Sequence, residues 1–94
     1  MTPRMHELAR HALGLPNAGR TSYRNRFYAV PGDEDWREWI AMTNAGLACV
    51  ATSGPHDFFW LTQRCAEAAL VGRERLCPED FPNSPKCKRA RRPA

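Results

Sequence analysis

Nowhere in these 94 residues does an apolar run approach the roughly 18 residues that a membrane-spanning helix needs. The opening stretch Met1-Thr2-Pro3-Arg4-Met5-His6-Glu7 lacks the apolar segment of a secretory leader. Also missing are a glycine-rich phosphate loop, a zinc-protease signature and a nucleophile elbow. The cysteines stand at 49, 65, 77 and 87 with no Cys-x2-Cys pair, and His6, His11 and His56 show no ligand spacing. A structural zinc site normally contains at least one such close pair, so neither metal nor cofactor is expected. His56-Asp57 could suggest acid–base work, but the sequence sets no nucleophile beside them, and such residues also serve turns. At 10.7 kDa the chain suits one small domain rather than a cofactor domain joined to a catalytic one. The expectation is a protein that is not an enzyme.

What the chain does have is charge, unevenly placed. Its net +4 divides into +3 over residues 77–94 and +1 over residues 1–76. Lys86, Lys88, Arg89, Arg91 and Arg92 supply the C-terminal excess, and four of the eight prolines lie in the same stretch. With Phe81 as its one large apolar group beyond two cysteines, residues 77–94 read as a disordered or extended basic tail. Residues 1–76 read as the folded domain. Cys77 and Cys87 are a candidate tail disulfide, although without a leader the reduced state is the default. Cys49 and Cys65 read as small buried hydrophobes.

Periodicity divides residues 1–76 into elements. Met5, Leu8, Ala9, Ala12 and Leu13 recur at helical spacing and predict a helix over 4–13, stopped by Gly14. Aromatic and β-branched residues from Tyr23 to Val30 predict a short strand. Asp33 or Asp35 caps a second helix reaching about Ala45, with Trp36, Trp39, Ile40 and Thr43 on its buried stripe. Gly46 suits the left-handed position after that helix, with Leu47 folding back. Residues 47–52 and 58–61 flank Ser53-Gly54-Pro55-His56-Asp57 and predict a hairpin with a five-residue loop. Thr62 caps a last helix running to about Arg75. Trp36, Trp39, Trp60, Phe58 and Phe59 read as core. The fold class is α+β: three helices, a short first strand and a two-stranded hairpin.

The segment Ala45-Gly46-Leu47-Ala48, hairpin, Phe59-Trp60-Leu61-Thr62-Gln63-Arg64-Cys65-Ala66-Glu67-Ala68-Ala69-Leu70 resembles the back half of a winged-helix domain. Across residues 5–71 the chain is also similar to small uncharacterised proteins of bacteriophages and prophages. The matching residues are Leu13-Gly14, Tyr23-Arg24-Asn25, Asp35-Trp36, Gly46-Leu47 and Leu61-Thr62. These are capping and turn signals, so the resemblance implies a winged-helix-like fold and a phage-type binding role, and offers no catalytic residues. It implies a bacterial cytoplasmic setting.

Two surfaces are candidates for contact. Arg20, Tyr23, Arg24, Asn25 and Arg26 form a basic patch whose residue types suit phosphate contact and base stacking, with the basic tail as an electrostatic assist. A plain solvated face is the competing reading. Asp33, Glu34, Asp35 and Glu38 begin the second helix and oppose its entry into a DNA groove, where phosphate neutralisation supplies affinity. Those acids suit the positive end of the helix dipole, or a basic surface on a host protein. The leading expectation is a nucleic-acid-binding module, or one acting on a nucleic-acid-handling machine. The alternatives are a protein-directed inhibitor such as an anti-CRISPR and, below it, a virion assembly accessory. The partners so implied are nucleic acid, a host protein or ribonucleoprotein complex, and a second copy in a homodimer, with no membrane.

Overall fold

Each helix begins where a hydroxyl or carboxylate residue meets an apolar stripe. A computed structural model describes residues 1–81. Helix α1 spans Pro3–Leu13, with the Thr2 side chain accepting from the Met5 amide at 3.1 Å. Pro3 occupies the first turn, where its missing N–H costs nothing. Gly14 ends the helix at φ 80°, a left-handed conformation that glycine adopts without penalty. Leu8, Ala9, Ala12 and Leu13 are the buried face.

Strand β1 covers only Phe27–Ala29, shorter than the Tyr23–Val30 run predicted. The residues before it have other partners. The Tyr23 and Arg26 amides donate to the Leu13 and Ala12 carbonyls, using orphan acceptors at the end of α1. Asn25 occupies the Leu61 backbone, so no ladder can form there.

Helix α2 spans Glu34–Asn44, with Asp33 at the N-cap position but making no side-chain capping bond. Trp39 and Met42 are fully buried, while Trp36 and Ile40 pack more shallowly. Gly46 at φ 80° then turns the chain, and the Leu47 amide returns to the Met42 carbonyl at 2.9 Å.

Strands β2 (Ala48–Ser53) and β3 (His56–Leu61) form the hairpin. The loop is Gly54-Pro55 rather than five residues, because the ladder continues through Thr52↔Asp57 and Ser53↔His56. Gly54 at φ 64° makes so tight a reversal accessible. The sheet is antiparallel in the order β1-β3-β2.

Helix α3 spans Gln63–Ala68, with Thr62 accepting from the Cys65 amide. It stops well before Arg75. Arg10 takes the Ala69 carbonyl at 3.0 Å, and Arg75 leaves to form a parallel bridge with Thr21. The Cys77 amide donates to the buried Ser22 hydroxyl, and Phe81 returns to the core at 6% exposure. Residues 77–81 therefore pack on the body that residues 1–76 were expected to form alone. The tail expected over 82–94, with Lys86, Lys88, Arg89, Arg91 and Arg92, lies outside the described residues.

All three helices pack on one face of the sheet. Phe59 and Leu61 of β3, Ala29 of β1 and Ala48 of β2 point into that core with Leu8, Leu13, Trp39 and Ala66. Trp39 stacks on Phe59 with centroids 5.4 Å apart, and truncating either ring to alanine would cost roughly 3–5 kcal/mol. The result is a small α+β fold of three helices and a three-stranded antiparallel sheet.

Candidate functional site

Strand alternation sends every second side chain to the face away from the helices. Tyr28, Phe58 and Trp60 therefore share that face, against the expectation that Phe58 and Trp60 belong with the core. They form one row: Tyr28 stacks on its cross-strand partner Phe58 at 5.1 Å, and Phe58 meets Trp60 at 5.3 Å. Exposure is graded along it. Tyr28 is 53% exposed, Phe58 and Trp60 are half-buried, and Cys49, opposite Trp60, is buried.

Next to the open end of the row, Tyr28, Phe27, Arg26, Arg24, Tyr23 and His11 line a groove of about 480 Å³. Ligand pockets fall in the range of roughly 300–1,000 Å³. Arg24 is fixed in place: its Nη2 donates to the His11 carbonyl at 2.8 Å, and its guanidinium lies 5.2 Å from the Tyr23 ring centroid. Its Nε is buried with no hydrogen-bond partner among the described residues. Tyr23 itself leans over Gly14, where a Cβ would lie 2.2 Å from the ring. Arg26 is exposed, and no carboxylate lines this groove among the described residues.

The basic patch expected from the sequence thus divides. Tyr23, Arg24 and Arg26 meet in the groove. Arg20 lines a separate cleft with Asn17, Arg73 and Glu74, and its backbone at φ 57° carries the bridge to Arg75. Asn25 belongs to the scaffold: its amide donates to the Leu61 carbonyl at 3.0 Å and accepts from the Leu61 N–H at 2.9 Å. These two bonds engage one amide hydrogen and one oxygen lone pair, so Leu61 sets the orientation of the Asn25 side chain. Tyr28 was absent from the sequence-derived candidates, though its alternation with Phe27 and Ala29 was the available signal.

The acids of α2 separate too. Asp35 pairs with Arg4, which also holds Glu7 at 2.6 Å. Asp33 and Glu34 are exposed, and Glu38 is partly buried. Asp57 has a structural task, accepting from Trp36 Nε1 at 2.7 Å and from the Thr52 hydroxyl at 3.2 Å. His56 is exposed beside it.

Among the cysteines, Cys65 and Cys77 are free thiols while Cys49 is disulfide-bonded. The tail pairing of Cys77 with Cys87 and the reading of Cys49 as a simple hydrophobe are both corrected by this arrangement. Burial pushes the Cys65 thiol up to about 11, which removes it as a nucleophile at neutral pH. No group of three His, Cys, Asp or Glu side chains suited to a metal occurs among the described residues. No helix among them is long and apolar enough to cross a membrane. Compared with known protein families, curated proteins and solved structures, the chain matches none.

Proposed function

We propose that this protein is a non-enzymatic nucleic-acid-binding module of phage or prophage type, and that the Tyr23–Arg24–Arg26 groove is its contact surface. The observation that carries the reading is an arginine held against a tyrosine in a groove without carboxylates. Arginine joins bidentate phosphate contact to planar stacking, and every Lys or Arg position among residues 1–81 is arginine. The basic residues 86–92 add a salt-sensitive attraction to the same polyanion.

A winged-helix-like arrangement is part of this proposal, supported by the order helix, strand, helix, hairpin and by β1 lying beside β3. The helix preceding the hairpin is not its reading element. It opens with Asp33, Glu34 and Asp35, which a phosphate backbone repels.

Electrophoretic shift against duplex DNA, single-stranded DNA and RNA at two salt concentrations tests the reading. Binding should weaken with salt, and Arg24→Glu with Arg26→Glu should abolish most of it. Loss of two phosphate contacts lowers the log–log salt slope by about 1.4 on a single strand. Unchanged binding by the double variant would remove the groove from consideration.

A second reading, inhibition of a host protein such as a CRISPR effector, is favoured by the exposed carboxylates of Asp33 and Glu34. Pull-down from host lysate with wild type and an Asp33/Glu34/Asp35→Ala variant separates it. Only this reading predicts a partner lost with the acids.

A further inference from the structure

We propose that the groove between Tyr23 and Tyr28 takes an unpaired base of a single-stranded nucleic acid, stacked on Tyr28 as the next ring of the Tyr28–Phe58–Trp60 row. The inference rests on the nucleic-acid reading above and names the form of nucleic acid that the site selects.

A row of rings across a sheet has two ends, and here they differ. At one end Cys49 is buried and Trp60 Nε1 is enclosed with no partner among the described residues. At the other, Tyr28 is more than half exposed while Phe58 covers one of its faces at an interplanar angle of 21°. A flat π-system arriving at that end extends a stack already built. It enters between two exposed tyrosines, Tyr28 at 53% and Tyr23 at 63%.

The charge at the open end identifies the occupant. Arg24 and Arg26 line the groove with Tyr28, so a planar group on the ring has cations beside it for its own phosphates. A purely apolar partner would leave those arginines unanswered, and an acidic peptide would leave the stacked row unused. A nucleotide strand meets both, because each base has a π-face and each linkage has a charge. A paired duplex cannot supply the base, since its bases are stacked on their own neighbours and a few kcal/mol are needed to extract one. Selection for the unpaired form follows from geometry alone, with no base-edge hydrogen bond invoked.

The test uses the full chain and fluorescently labelled ten-nucleotide oligothymidine and oligouridine, with a blunt two-stranded DNA duplex of the same length as the duplex probe. Affinity is read by anisotropy at low and moderate salt. Single strands should bind at least about tenfold more tightly than the duplex. Tyr28→Ala should weaken single-strand binding roughly 5- to 150-fold, with the salt slope unchanged, since it removes a ring and no charge. Tyr28→Phe and Tyr28→Trp should restore binding, whereas Tyr28→Leu, of similar apolar area, should not. Circular dichroism melts confirm that each exposed-site variant is folded.

The outcomes separate the two readings. Equal affinity for duplex and single strand, lost in Arg24→Glu/Arg26→Glu, overturns the stacking inference and leaves nucleic-acid binding standing. Single-strand preference that survives Tyr28→Ala overturns it as well. Absence of binding to every probe at low salt overturns both. Concentration-dependent dimerisation without oligonucleotide, abolished by Tyr28→Ala, would assign the open ring to a second copy of the chain and also overturn the inference.

Discussion

Arg10 and Glu74, on the first helix and the turn after the third, form a two-pronged ion pair with Nη1 and Nη2 at 2.5 and 2.7 Å from the carboxylate oxygens. The same guanidinium caps α3 through the Ala69 carbonyl, and Glu74 accepts from the Val71 amide. One pair therefore fixes the end of a helix, the turn beyond it and their distance from α1.

The Arg10 hydrogen bonds hold the Glu74 carboxyl down at about 2. A carboxylate lowered in the folded state stabilises fully above its unfolded value of about 4.3 and loses that contribution as pH falls toward the folded one. Stability should drop between about pH 4.3 and 2 in urea titrations. Glu74→Gln should lower stability near neutrality by about 1–3 kcal/mol and flatten this part of the acid profile.

Asn25 should behave as a fold residue. Asn25→Ala leaves the buried N–H and C=O of Leu61 without partners, at a cost of about 1–3 kcal/mol. Chemical denaturation should show that loss. Oligonucleotide affinity, measured well below the unfolding midpoint, should stay within about twofold of wild type, less than 0.5 kcal/mol.

Two glycines with the same φ of 80° should respond differently to alanine. At Gly46 nothing lies within 4 Å of the new Cβ, so only the left-handed backbone is penalised, by about 1 kcal/mol. At Gly14 the Cβ would lie 2.2 Å from the Tyr23 ring, so the backbone penalty is joined by displacement of the tyrosine. Thermal melts should rank Gly14→Ala below Gly46→Ala. Only the former should also disturb the groove, read as a change in oligonucleotide affinity.

Thiol labelling should distinguish the two free cysteines among the described residues. Cys65 is buried and its thiol is raised to about 11, whereas Cys77 is partly accessible. With iodoacetamide at pH 8, mass spectrometry should find Cys77 modified first. Cys65 should react only at the rate of unfolding.

The elements most legible in the sequence were those with local causes. Gly14, Gly46 and Thr62 each announce a helix boundary through backbone chemistry confined to a few residues, and the structure places them there. What was hidden depends on partners far along the chain. The early end of α3 follows from Arg10 and Thr21, and burial of Phe81 from a core that Pro-rich flanks conceal. The site shows the same division. Arg24 and Arg26 stand out by charge, but assigning Asn25 to Leu61 and Tyr28 to the open end of an aromatic row needs the strand register.

The hydrogen bond from Cys77 to Ser22 spans 55 residues, and it closes beside the segment that presents Tyr23 and Arg24. On the ribosome, Ser22 lacks this partner until residue 77 has emerged. The brace on Ser22 is therefore added late, onto a segment whose Tyr23, Arg24 and Arg26 already have partners on α1. A chain ending before Cys77 would keep the α1 anchors of Tyr23, Arg24 and Arg26 but lose the bond that ties Ser22 to residue 77.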